Sequence, residues 1–157
     1  KFLEKIRELS SIPKPEMKKE NLVSILKEIK SFMEFELEIE GEEEKMIMCD
    51  KTLLLSAFSN IIKNSTEVTK TRGGKIKVKV WDDKENIIIS FWDNGGGIDK
   101  KTLENIFNFG FSTKGKDRGT GLYITKKVIL DHNGNITVKS DQNNGTTEFI
   151  ISLPKTS

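Results

Sequence analysis

One carboxylate and five glycines stand in two short segments of this chain, Asp93-Asn94-Gly95-Gly96-Gly97 and Gly119-Thr120-Gly121-Leu122. With Gly110 and Gly115 between them, seven of the twelve glycines fall within 95–121. Glycine gives up the most backbone freedom on folding, so such clustering marks places where backbone must approach something closely. The first segment follows the apolar run Ile87-Ile88-Ile89-Ser90-Phe91-Trp92 and so lies at a strand end. The second runs into the periodic residues Leu122, Ile124, Val128 and Ile129, and so opens a helix. A glycine-rich entry to a helix presents free N–H groups and a positive dipole end, which suits phosphate. Together the two segments predict a nucleotide site.

A second set of polar residues lies upstream. In a helix expected from Asp50 to about Thr69, Leu54, Phe58, Ile61, Ser65 and Val68 form one stripe, facing a sheet. Asn60, Asn64 and Glu67, at i, i+4 and i+7, form another on the side of Leu53 and Ala57. Such a stripe is often only a solvated face; here a carboxylate and two glycine turns follow it at fitting intervals.

The elements that must position these groups read as follows. Phe2, Leu3, Ile6 and Leu9 have helical spacing up to Pro13 and Pro15, and Leu22, Ile25, Leu26, Ile29, Phe32 and Met33 mark an amphipathic helix. Phe35, Leu37 and Ile39 alternate with glutamates, Gly41 to Glu44 reads as a turn, and Met46 to Met48 as its return strand. Ile76, Val78 and Val80 alternate with lysines, Asp82 to Asn86 turns into the 87–92 strand, and 136–138 and 149–153 form a last pair about Asn143-Asn144-Gly145. Adjacent strands joined by tight turns are antiparallel. The order predicts an α+β fold, a two-layer sandwich with a mixed, mostly antiparallel sheet and helices on one face.

Bulk properties narrow the partners. A length of 157 residues suits one domain. Net charge of +2 gives no bias toward nucleic acid or membrane, and the single cysteine, Cys49, excludes a disulfide framework. No stretch reaches the ~20 apolar residues of a membrane span, and no signal peptide is visible. The expected location is cytoplasmic, whether or not a parent protein is membrane-anchored.

At this point five motifs line up. Asn60-Ile61-Ile62-Lys63-Asn64-Ser65 resembles the N box of the ATP-binding catalytic domain of sensor histidine kinases, within the wider family that includes gyrase B, Hsp90 and MutL ATPases. Asp93 to Gly97 resembles the G1 box, Ile106 to Lys114 the F box, and Gly119 to Leu122 the G2 box. His132-Asn133-Gly134 and Gly145-Thr146-Thr147-Glu148-Phe149, closing on Leu153-Pro154, resemble the end of the domain. The likeness covers 21–154. It implies the Bergerat-type ATP-binding fold, with 1–12 as the stub of a dimerisation and phosphoacceptor helix and 13–20 as a linker.

The resemblance also implies roles. Asn64 coordinates Mg2+ through its side-chain oxygen, with Asn60 as second ligand or water-positioner; one or two protein oxygens plus phosphates and water is the usual way magnesium is held. Asp93 accepts from the adenine 6-amino group, Gly95 and Gly97 let backbone pass close to the ring, Ile98 packs on it, and Thr147 completes that end. Gly119, Thr120, Gly121 and Leu122 lead the helix N-terminus to the phosphates. Lys114 and Arg118, on a mobile lid spanning about 99–118, meet the β- and γ-phosphates of ATP, with ADP as product.

Three departures stand out. Glu67 occupies a place where many such kinases have Lys or Arg, which shifts load to the lid cations. Tyr123 replaces a common glycine and is expected to pack under the lid. Asn60 stands where hydrolytic relatives carry a Glu, which argues against efficient ATP hydrolysis. His132, the one histidine, matches a turn residue, so the phosphoacceptor is expected on a separate dimerisation domain and the final acceptor on a response regulator receiver domain. The resemblance implies a monomeric fragment of a homodimeric parent. Alternatives are a stand-alone serine kinase of anti-sigma-factor type, which the Pro-linked N-terminal stub opposes, and a nucleotide-sensing docking module without transfer activity.

Overall fold

The computed structural model describes residues 14–109 and 119–156. Asn21 both closes strand β1 (Lys18–Asn21) and caps helix α1 (Leu22–Lys30), its side-chain oxygen accepting from Val23 N at 3.1 Å and from Lys45 N at 3.0 Å. Lys27 and Lys30 sit in the last turn of α1, where the dipole favours cations, and Leu22, Val23, Ile25, Leu26 and Ile29 are buried. Asp50 starts α2 (Lys51–Thr69), accepting from Leu53 N at 3.1 Å and from Glu16 N at 2.9 Å. The bond from Glu16, then that from Leu53, holds the Asp50 carboxyl below the ordinary carboxylate range despite some desolvation.

Five strands form the main sheet: β2 (Glu36–Ile39), β4 (Ile76–Asp83), β5 (Asn86–Asp93), β6 (Asn135–Asp141) and β7 (Thr146–Pro154), in the order β2-β4-β5-β7-β6. Only β2 and β4 run parallel; the other pairs are antiparallel. One face of the sheet, with Val78, Val80, Ile89, Phe91, Phe149 and Ile151, buries against α1, α2 and α4 (Gly119–Asp131). Phe58 of α2 meets Phe91 of β5 at 5.6 Å between ring centroids. The opposite face carries Lys77 over the Trp92 ring and Lys79 over Trp81. The expected two-layer α+β architecture is therefore what forms.

One local expectation fails. The 35–48 segment is not a hairpin: β2 lies parallel to β4, pairing Leu37 with Val78 and Ile39 with Val80, while β3 (Met46–Cys49) pairs antiparallel with β1. Alternation fixes which side chains point inward but does not choose the neighbouring strand. Lys45, just before β3, is anchored away from β2. Its carbonyl accepts from Leu22 N at 2.9 Å, its N–H goes to Asn21, and its buried ammonium pairs with Asp82 at 2.8 Å. Within the expected linker at 13–20, Lys18 onward is strand β1.

The stub at 1–12 and residues 110–118 of the expected lid lie outside the described residues. The lid's earlier part contains a short helix, α3 (Lys100–Asn105), capped by Asp99, which accepts from Thr102 N at 2.7 Å. No helix among the described residues is long and apolar enough to cross a membrane.

Candidate functional site: a buried carboxylate beside an asparagine pair

Asp93 is the last residue of β5, opposite Ile76 of β4 and Thr147 of β7. It faces the helices and is 3% exposed. One carboxylate oxygen accepts from Gly95 N at 2.9 Å, and the other from the Ser65 hydroxyl of α2 at 2.8 Å. Burial pushes the Asp93 carboxyl above its ordinary range, and the bonds from Gly95 and Ser65 oppose that push. Each oxygen of a carboxylate accepts about two hydrogen bonds, so Asp93 retains acceptor capacity for a ligand donor.

The glycines after it serve the protein's own packing. A Cβ on Gly95 would stand 2.4 Å from Val68 Cγ2, so the turn lies directly against α2. Gly97 has φ +78°, and a Cβ there would meet the backbone of Asp141 and Gln142 at 3.0–3.2 Å. Gly96 N also donates to Gly145 O at 2.9 Å. Gly95 and Gly97 thus lie closely against α2 and the β6–β7 hairpin.

Ser140 of β6 ties this end together. Its hydroxyl accepts from Ile98 N at 2.7 Å, donates to Thr146 O at 2.9 Å, and lies 3.0 Å from Thr147 Oγ1. With its own hydrogen directed to Thr146, the hydrogen shared with Thr147 comes from the threonine. Thr147 is buried beside Asp93, and Ile98 packs on the edge of the core. These three expected residues, Asp93, Ile98 and Thr147, are brought to one place.

The asparagine pair flanks them on α2. Asn60 and Asn64 are half-buried, one turn apart. Asn60 Nδ2 donates to Thr125 Oγ1 of α4 at 3.0 Å. Among the described residues, Asn60 Oδ1 and the Asn64 amide have no hydrogen-bond partner. No group of three or more His, Cys, Asp or Glu that could hold a metal occurs among the described residues. Two neutral amide oxygens one turn apart suit a hard cation that brings its remaining ligands as phosphate and water.

Helix α4 begins at Gly119, as the expected phosphate-facing turn requires. Leu122 is buried in the core, so its side chain packs the helix down. Tyr123 stacks edge-on with Phe109 at 5.4 Å, and Phe107 does so with Phe149 at 6.2 Å while Lys126 lies 5.0 Å over the Phe107 ring. Tyr123 thus packs on the lid segment as expected. Lys114 and Arg118 lie outside the described residues, as does the side chain of Thr120.

His132 is structural. It is 2% exposed, its Nε2 accepts from Asp50 N at 3.0 Å, and its Nδ1 donates to Val128 O at 2.8 Å. Those partners require the neutral Nδ1–H tautomer. A groove of about 560 Å³ on the open sheet face, lined by Lys77, Lys79, Ser90, Trp92 and Glu148 among others, lies on the opposite side of β5 from Asp93.

Sequence reasoning missed Ser65, Ser140 and Thr125 as members of the site. Ser65 had a usable signal, because a hydroxyl on an apolar helix stripe must find an acceptor when buried. Thr125 carries the same signal on α4.

Comparison with known proteins places these features in context. The family described as Histidine kinase-, DNA gyrase B-, and HSP90-like ATPase matches residues 49–157. Sporulation kinase D of Bacillus subtilis is 32% identical over 122 residues, 78% of this chain and 24% of that protein. Sporulation kinase A of the same organism is 31% identical over 143 residues, 86% of this chain and 23% of that protein. The chain therefore spans about a quarter of the length of these relatives. The catalytic domain of histidine kinase ThkA superposes with a TM-score of 0.78 at 28% identity, covering 89% of this chain and 96% of that one. ThkA in complex with response regulator protein TrrA also matches, with a TM-score of 0.78 at 27% identity over 98% of this chain and 46% of that one.

Proposed function

Because the chain belongs to the histidine kinase-, DNA gyrase B- and HSP90-like ATPase family, we propose that it is the ATP-binding catalytic domain of a sensor histidine kinase. In this reading it binds Mg-ATP and delivers the γ-phosphate to a histidine on a dimerisation domain of its parent, from which a response regulator takes it.

The observation that carries the nucleotide reading is the buried Asp93, held by Ser65 and Gly95 with acceptor capacity left over. A buried carboxylate fixed at two points is a directional acceptor for an exocyclic amine, and adenine offers one. Thr147 and Ile98, linked through Ser140, would border the base. Asn60 and Asn64 would hold Mg2+, which when bound neutralises phosphate charge. Lys114 and Arg118 would add cationic contacts to the phosphates. Transfer then rests on positioning and charge neutralisation. His132, locked between α2 and α4, is not the acceptor.

The test is titration with ATP and ADP, with and without Mg2+, followed by incubation of labelled ATP with a dimerisation domain bearing a phosphoacceptor histidine. Binding with transfer of label to that histidine is the expected result. Binding without transfer to any histidine partner would reject the kinase step, and no binding would reject the nucleotide site.

A further inference from the structure

We infer that Thr125 is a positioning residue that sets the orientation of the Asn60 side-chain amide, so that Oδ1 and not Nδ2 is the atom offered to a divalent cation. This rests on the Mg-ATP reading above and goes beyond it to a residue outside the motifs.

An asparagine amide is a two-ended group of nearly symmetric shape, and its ends are opposite in function. The oxygen ligates a hard cation; the NH2 end repels one. Which end faces the ligand must therefore be decided by whatever holds the other end. In this chain Nδ2 points across the α2–α4 interface to Thr125 Oγ1 at 3.0 Å, and Thr125 is 2% exposed. The threonine end of the bond is closed to solvent. Asn60 Oδ1 has no partner among the described residues.

The threonine is suited to accept. A threonine inside a helix ordinarily gives its one hydroxyl hydrogen to the carbonyl four residues earlier. Thr66 and Thr69 of α2 do so, to Ile62 O and Ser65 O, each at 2.9 Å. Such a hydroxyl has lone pairs left and no hydrogen, so it binds an amide NH2 and rejects an amide oxygen. The same bond also joins α2, which carries both asparagines, to α4, which opens at the glycine turn.

Two substitutions separate orientation from packing. Thr125→Val keeps the shape and removes the acceptor; Thr125→Ser keeps the acceptor and removes a methyl. ATP affinity is measured by calorimetry on the whole chain with and without Mg2+. The nucleotide-free protein gives a second readout, the Asn60 side-chain NH2 resonances, assigned by their disappearance in Asn60→Ala. In T125V the Mg2+-dependent gain in ATP affinity should fall by about 10-fold, Mg2+-free affinity should hold, and the Asn60 NH2 resonances should move. T125S should restore both. An unchanged Mg2+ gain in T125V, or an equal loss with and without Mg2+, would overturn the inference and leave the metal reading standing. A wild-type chain that binds ATP with no Mg2+ effect would overturn the metal reading itself, and the inference with it.

Discussion

Ser65 of α2 donates to Asp93 of β5 at 2.8 Å, the bond that joins the helix of the asparagine pair to the strand end where the carboxylate lies. Without it the buried carboxylate would keep one protein donor, Gly95 N. Removing a hydrogen bond to a charged group costs about 1.5–3 kcal/mol. Ser65→Ala should therefore lower the urea midpoint clearly, and Ser65→Thr should recover part of it if the methyl fits. A Ser65→Ala midpoint equal to wild type would deny the bond any energetic role.

The same bond predicts a pH dependence. Asp93 is raised by desolvation, and it accepts an amino hydrogen bond most strongly when ionised. ATP affinity should weaken on acidification at a pH above the ordinary carboxylate range, and Ser65→Ala should move that midpoint higher. The stability effect has the opposite sign. Because the folded-state value exceeds the unfolded one, ionised Asp93 lowers stability as pH rises from the unfolded value through the folded one. Asp93→Asn should flatten that part of the stability profile, and its ATP affinity should drop at least ~10-fold through a mispaired amide. Full affinity in Asp93→Asn or Asp93→Ala would remove adenine from this position.

Asp50 titrates the other way. Its carboxyl is lowered, chiefly by the Glu16 N–H, so its contribution is present above the unfolded value and is lost as pH falls through the folded one. Asp50→Ala should lower stability at neutral pH by about 0.5–2 kcal/mol, the range for a lost N-cap, and should make acid unfolding less steep. Parallel acid-unfolding curves for the variant and wild type would show that the cap does not titrate.

Asn64→Ala should reduce the Mg2+-dependent part of ATP binding while leaving the Mg2+-free part within about 2-fold, since one neutral ligand of several is removed. Calorimetry at both conditions gives the answer, and an unaltered magnesium response would remove Asn64 from the metal.

Gly95→Ala tests the turn. With Val68 Cγ2 at 2.4 Å from the added methyl, the turn and α2 must separate, at about 1–3 kcal/mol by the usual scale of overpacking. Val68→Ala removes that atom but leaves Val68 Cβ at 2.9 Å, so it should recover part of the melting temperature of Gly95→Ala. A Gly95→Ala protein of wild-type melting temperature that binds ATP poorly would assign the glycine to direct contact with ligand.

Much of this was legible from the chain because it rests on local pattern. The period-two run gave β4, the apolar run gave β5, the Asp50 cap gave the start of α2, and the glycine turns gave the strand end and the opening of α4. What pattern could not give was partner choice between distant segments. Leu37 and Ile39 require an inward face, and β4 supplies the neighbour, while Lys45 is held at Asn21 and Asp82 and carries the chain on into β3. Ser65, Ser140 and Thr125 escaped for a related reason. Each is a small hydroxyl whose role exists only once another element, carrying Asp93, Ile98 or Asn60, is packed against it.

The strand order bears on how the protein comes into being. β7 follows β6 in the chain, yet it lies inside the sheet, between β5 and β6. During synthesis β5 therefore emerges with one edge open, and β6 has no neighbour until β7 arrives. Thr147, opposite Asp93, comes with that same strand. The closing of an aggregation-prone edge and the completion of the nucleotide site are thus one event. A nascent chain halted before β7 should be a client for chaperones and blind to ATP.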